Sequence, residues 1–187
     1  LTNDPTVVGI IGSSCSSATV GGIQTITESG LTSISGSATA NALTQPDRGP
    51  EYDGFLRTAF PDEFQGELVA NFIFGALGLT KAATIHDGSA YAEGLVNDFS
   101  GFFEEMGGEI TMAEAVSDGQ TDMNPVLTNV ASSEPEILYF PIFTDEGGFI
   151  ADQVDDVAGL EDVALMGSDG LFSLDFVDAA GPNVEGM

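Results

Sequence analysis

The chain has 187 residues with 30 carboxylates against three cationic side chains, Arg48, Arg57 and Lys81, a formal net charge of −27. Three cations cannot form a basic patch, which excludes electrostatic docking on nucleic acid or an anionic membrane surface. At 42% hydrophobic residues the chain holds enough apolar surface to fold as a globule, and its length suits one domain or two small lobes.

The first predicted unit is a strand near Val7–Ile11, a helix near Ala18–Glu28 and a strand over Leu31–Ser35. Asp47 to Asp53, with Pro46, Gly49 and Pro50, reads as a polar loop. Pro61-Asp62-Glu63 marks a helix start, since a proline and two acids suit the free N–H groups and the positive dipole end. Leu68, Val69, Phe72, Ile73, Ala76 and Leu77 then predict one apolar stripe, stopped by Gly78.

A longer series follows. Strands are predicted at Ala82–Ile85, Ile110–Ala115, Ile137–Phe140 and Val163–Met166, with helices at Tyr91–Met106, Asn124–Ala131 and Asp145–Val157 between them. Leu95, Phe99, Phe102, Phe103 and Met106 form the inner side of the first of these helices. This alternation predicts an α/β fold with parallel sheets: one Rossmann-like lobe, preceded by a less complete lobe with two convincing strands. Two strands with few helices make a poor independent fold.

Three strand ends carry polar turns. Val7 to Gly12 runs into Ser13-Ser14-Cys15-Ser16-Ser17, Leu31 to Ile34 into Ser35-Gly36-Ser37-Ala38-Thr39, and Val163 to Met166 into Gly167-Ser168-Asp169-Gly170. In open parallel sheets the ligand crevice lies beyond the carboxyl ends of the strands. The Ser13–Ser17 turn offers hydroxyls and a helix N-terminus to an anion, although a single N-cap would also need one of those serines. Asp169 could meet an ammonium group or close an Asx-turn. Tyr91 and Phe143, each just past a strand, could wall an apolar pocket or belong to the core.

Catalytic chemistry finds little support. His86 is the only histidine and Cys15 the only cysteine, so a His-rich or CxxC metal centre and an internal disulfide are ruled out. Gly9-Ile10-Ile11-Gly12 is not a dinucleotide fingerprint, and no GxxxxGK[ST] or GxSxG run occurs. No cofactor is expected, and no enzyme activity. The apolar segment around Leu68–Leu79 is too short to cross a bilayer. The carboxylate excess repels itself unless salt shortens the Debye length, which fits a saline habitat or simply an acidic exported protein.

Taken together, Ile10–Thr19, Leu31–Thr44, Arg57-Thr58-Ala59 with Gln65-Gly66, Ile85-His86-Asp87 with Tyr91-Ala92-Glu93-Gly94, Phe103 to Gly108, and Met166 to Gly170 resemble the branched-chain amino-acid (leucine/isoleucine/valine) binding proteins of ABC importers, of the type I periplasmic binding protein family. The resemblance implies two Rossmann-like lobes with parallel sheets, the first incomplete: residues 1–78 as a partial N-terminal lobe, 79–182 as the C-terminal lobe and 183–187 as the start of a crossover back. It implies that this is an internal stretch of a receptor, and that Cys15 stands where some relatives pair a cysteine with one in the missing N-terminal part. It further implies a role for each candidate: Ser16 on the ligand carboxylate, Ser37 and Ala38 through backbone contacts, Thr39 on the head group, Asp169 on the α-ammonium, Tyr91 as a cover. Phe143 falls where the resembled receptor has Tyr, which leaves ligand choice open among branched-chain, other aliphatic or aromatic amino acids, amides and small carboxylates. The implied partners are an amino acid and a membrane ABC permease, with no nucleic acid. The implied location is the periplasm or cell exterior, with a lipid anchor as one option. A sensory ectodomain of the same fold is the alternative reading.

Overall fold

Two parallel sheets are formed in succession along the chain, as seen in a computed structural model that describes all 187 residues. The first contains β1 (Ile10–Ile11), β2 (Ser33–Ser35) and β3 (Phe55–Arg57) in the order β1-β2-β3. The second contains β4 (Lys81–His86), β5 (Glu109–Ala115), β6 (Ile137–Tyr139) and β7 (Ala164–Met166) in the order β5-β4-β6-β7. All pairings are parallel. Helices α1 (Ser16–Glu28), α2 (Asp62–Ala70), α3 (Ala92–Glu105), α4 (Asn124–Ser132) and α5 (Thr144–Gln153) lie between successive strands, β2 and β3 are joined by a loop with two short 3-10 turns, and α6 (Leu174–Ala180) follows β7. The α/β class and the parallel sheets agree with the sequence reading.

The differences have local causes. β3 supplies a third strand to the first lobe where the sequence suggested two. Only three residues of it pair, so alternation had too short a run to register. The first strand shrinks to Ile10–Ile11 because it pairs with β2 alone, leaving Val8 and Ile11 exposed. α6, which was not foreseen, starts at an N-cap: the Ser173 hydroxyl accepts the Phe176 N–H.

One face of the first sheet turns Ser33, Ser35 and Phe55 inward, where Ile23, Ala38, Ala40 and Leu43 complete a small core. The other face aligns Ile11, Ile34 and Leu56 in register, all exposed. The larger core lies around the second sheet, centred on Phe99, Phe103, Leu127, Leu138, Tyr139 and Ile150.

α2 departs most from expectation. It begins at Asp62 after Pro61, continues as a wider π-type turn over Asn71–Leu77, and stops at Gly78, whose φ of +72° is left-handed. The expected stripe is split, however: Ile73 is buried, whereas Leu68, Phe72 and Leu77 are exposed. The helix instead turns its small residues toward α3, with Gly66 at the crossing, where a Cβ would lie 2.7 Å from Asp98 Cβ and 2.8 Å from the Phe99 nitrogen. Ala70 and Ile73 consequently join the larger core. By packing, α2 goes with the core of the second sheet, so the seam between the two cores falls near Asp62. Gly66→Ala is expected to force α2 off α3 and destabilise the chain by about 1–3 kcal/mol, read as a lower urea midpoint at an unchanged slope.

Candidate functional site

The carboxyl ends of both sheets deliver their following turns to a common cleft. A cavity of about 430 Å³ is lined by Cys15, Ser16 and Ser17 from the first lobe and by Asp87, Gly88, Ser89, Tyr91, Asp118 and Phe143 from the second. The Ala90 N–H donates across it to Ser17 Oγ at 3.0 Å. A second groove, of about 500 Å³, lies beside the outer edge of β7, but it is mainly apolar and holds no comparable set of polar groups.

The first-lobe side is a lattice of serines. Ser35 Oγ donates to the Ser13 carbonyl at 2.6 Å, and Ser37 Oγ to the Ser14 carbonyl at 2.7 Å. Ser16 is buried, and its Oγ accepts the N–H groups of Thr39 at 3.1 Å and Ala40 at 3.0 Å. The Ser37 and Ala38 N–H groups are taken by Ser35 Oγ at 3.2 and 2.9 Å. Ser16, Ser37 and Ala38 are thereby brought together, and the hydrogen bonds their turns make here hold one turn on the other. The groups left facing an anion are the opening N–H groups of α1, which have no acceptor inside the helix, and the Ser16 O–H. Thr39 Oγ1 is buried without a partner.

The guanidinium of Arg57 secures this arrangement from behind. It donates to the carbonyls of Thr39 at 2.6 Å and Ala40 at 3.0 Å and to the Thr44 hydroxyl. Burial lowers its pKa.

Across the cleft, Tyr91 is buried beside Asp169. Its hydroxyl donates to Asp169 Oδ1 at 2.6 Å, lies 2.7 Å from Ser168 Oγ and accepts the Gly170 N–H at 3.3 Å. Burial, with the Asp169 carboxylate next in effect, pushes the phenol well above its ordinary range, so it remains a neutral donor. The Tyr91 and Phe143 rings stand 5.3 Å apart at 31° and form an aromatic wall. Tyr91→Phe is expected to cost roughly three- to thirtyfold in ligand affinity, because Asp169 loses the donor that aims it; isothermal titration calorimetry reads this, with the melting temperature as a check on folding.

His86 is a strand-end residue whose Nδ1 accepts the Gly88 N–H at 3.0 Å, and Asp87 accepts the Ser89 N–H at 2.8 Å. No group of three His, Cys, Asp or Glu side chains is placed to hold a metal ion. Cys15 is exposed on the cleft, because it is the N-cap of α1 and stands outside the helix.

Sequence reasoning missed Asp62. The side chain is 0% exposed, and neither carboxylate oxygen has a hydrogen-bond partner. Burial drives its pKa up to about 6; the Thr39 hydroxyl pulls it down, Asp98 and Asp169 push it further up and Arg57 opposes them. Asp62 lies past the end of β3 just as Asp169 lies past β7. Had β3 been recognised, its C-terminal turn would have joined the other strand-end candidates.

The profile of the periplasmic binding protein family matches residues 1–187. The Leu/Ile/Val-binding protein BraC3 of Rhizobium johnstonii is 29% identical over 163 residues, covering 85% of this chain and 43% of that protein. The crystal structure of the branched-chain amino acid transporter substrate binding protein LivJ from Streptococcus pneumoniae, in complex with isoleucine, superposes with a TM-score of 0.80 at 28% identity, over 96% of this chain and 50% of that one. An R. palustris ABC-transporter solute binding protein in complex with benzoate shares the fold, with a TM-score of 0.78 at 23% identity over 95% and 47% of the two chains. The chain therefore spans about half the length of the relatives it matches. With the family profile covering every residue and parallel α/β lobes meeting at a polar cleft, this chain belongs to the periplasmic binding protein family.

Proposed function

We propose that these residues form much of the ligand cleft of an extracytoplasmic solute-binding protein, which captures an amino acid and presents it to an ABC permease. The observation that carries this reading is the opposition of charge preferences on the two sides of the cleft. An anion-favouring helix N-terminus and serine lattice line it from the first lobe; Tyr91 lines it from the second with the Asp169 carboxylate held on its hydroxyl, and the Asp62 carboxyl is buried nearby at the seam between the cores. A zwitterion needs both, a few ångströms apart. In this reading Ser16 and the opening N–H groups of α1 receive the ligand carboxylate, and Thr39 contacts the head group. The Ser37–Ala38 turn shapes the first-lobe wall through its backbone. Asp169 and Asp62 share the ammonium, and Tyr91 with Phe143 covers the side chain.

The aromatic wall favours an apolar side chain, as do the names of the relatives, and branched-chain amino acids head the candidates. Binding shifts the balance of open and closed lobes by the ligand's differential affinity for the two, and no reaction is carried out on the ligand. No helix is long and apolar enough to cross a membrane. A sensory ectodomain would use the same cleft.

A thermal-shift panel on the longest gene product carrying these residues tests the reading, using leucine, isoleucine, valine, phenylalanine, glutamate, amides, benzoate and short carboxylates. A ligand at 100 times its dissociation constant adds roughly 2.7 kcal/mol. Stabilisation by apolar amino acids supports the proposal. Stabilisation by carboxylates alone, with every zwitterion silent, overturns the amino-acid assignment.

A further inference from the structure

Asp62 stands in an environment that the cleft as described does not complete. Its carboxylate is fully buried at the seam between the two cores, and both oxygens lack a partner. The side chains of Thr39, Thr84 and Tyr139 also bury an unpartnered hydroxyl. Thr84 and Tyr139 are register partners on β4 and β6, so their side chains share one face of the second sheet. Tyr139 feels the charges of Asp62, Asp98 and Asp169, which places all four in one neighbourhood.

The charged and titratable groups that face Asp62 are mostly acidic. Asp98 comes from α3, Asp169 from the turn after β7, and Arg57, the one cation, from β3. Arg57 spends its N–H groups on the Thr39 and Ala40 carbonyls and the Thr44 hydroxyl. Asp98 is itself held above its ordinary range, mainly by burial, with Asn41 donating to it at 2.6 Å and Glu63 pushing it further. A buried carboxylate among like charges, with only the Thr39 hydroxyl and the Arg57 cation favouring its charged form, carries a proton in preference to a charge.

We propose that Asp62 holds a proton while the cleft is empty and releases it when a ligand's ammonium group arrives, so that amino-acid capture expels a proton and weakens in acid. This rests on the amino-acid reading of the cleft. The balance is simple: the carboxyl O–H bond breaks, the proton passes to solvent, and the ammonium keeps its three hydrogens and supplies the positive charge that the anion lacked. With the carboxyl's pKa at about 6 in the unliganded cleft, release at pH 6 is about half a proton per ligand, falling toward none at pH 8.

The test is calorimetric titration of isoleucine into the longest gene product carrying these residues, in pairs of buffers with different ionisation enthalpies, at pH 6 and pH 8. Proton release at pH 6 that fades at pH 8, and that Asp62→Asn abolishes, is the expected result. Binding with no buffer-dependent heat at pH 6 overturns the proposal while leaving the amino-acid reading intact. Binding of no amino acid at all overturns both. If Asp62→Asn does not fold, infrared difference spectra of the unaltered protein decide instead: ligand addition at pH 6 should remove the carbonyl band of a protonated carboxylic acid, and a band that persists refutes the assignment.

Discussion

Asp169→Ala is expected to weaken the proposed amino-acid binding at least tenfold. Removing one partner of a buried charge pair costs about 2–5 kcal/mol, much of it the penalty on the charge left behind. Asp169 is exposed at the cleft in the unliganded chain, so its loss should disturb folding little, and the effect should appear in the dissociation rate. Tyr91 would lose the acceptor for its hydroxyl but keep Ser168 and the Gly170 N–H. Isothermal titration calorimetry of the variant, with an unchanged melting temperature as the control, measures this. Affinity equal to that of the unaltered protein would remove Asp169 from the ligand site.

Asp62→Asn has the opposite signature, because it acts on stability and binding in different directions. The folded protein holds this carboxyl at about 6, above its unfolded value near 3.9. Such a group contributes stability that is complete below the unfolded value and is lost as pH rises through the folded one. By pH 8 an ionised, unpartnered carboxylate is left inside the protein. The amide carries no charge, so the variant is expected to gain about 1–3 kcal/mol over the unaltered protein at pH 8 and nothing at pH 4. That gain should accompany weaker amino-acid binding, the trade expected when a destabilising group is kept for function. Urea unfolding at the two pH values reads the first effect. Equal destabilisation at both would mean that Asp62 is a structural hydrogen-bonding residue instead.

The strong periodic signals of the sequence survived into the structure. The Leu95, Phe99 and Phe103 face of α3 is buried as its spacing requires, and the strands at Lys81–His86 and Glu109–Ala115 fall within a residue of the apolar runs. The hydroxyl turns after β1 and β2 also meet as expected, with Ser16 Oγ bonded to the Thr39 and Ala40 N–H groups. What escaped was governed by partners that spacing does not encode. Of the stripe read on α2, Ile73 is buried as expected, but Leu68 and Phe72 gave way to Gly66 and Ala70, because the close crossing with α3 rewards small residues over large apolar ones. β3 was too short to alternate visibly, and its loss from view hid Asp62, whose acid at a helix start already had an ordinary explanation in the helix dipole. That Ser35 Oγ takes the Ser37 and Ala38 N–H groups becomes visible only in the folded chain.

The exposed row of Ile11, Ile34 and Leu56 fits a first lobe that is only partly represented in these residues. Parallel sheets are ordinarily covered on both faces, and this one is covered on one. Binding experiments therefore belong to the longest gene product that carries the chain.

The cleft is proposed to recognise both charges of a zwitterion. Competitive calorimetry of isoleucine against 2-methylbutylamine, which lacks the carboxylate, and 3-methylpentanoic acid, which lacks the ammonium, tests it most directly. Isoleucine should bind, and each singly charged analogue should bind at least about a hundredfold more weakly, since each leaves one polar side of the cleft unpaired. If 3-methylpentanoic acid binds as tightly as isoleucine, Asp62 and Asp169 do not form an ammonium site, and the cleft is that of a carboxylate receptor.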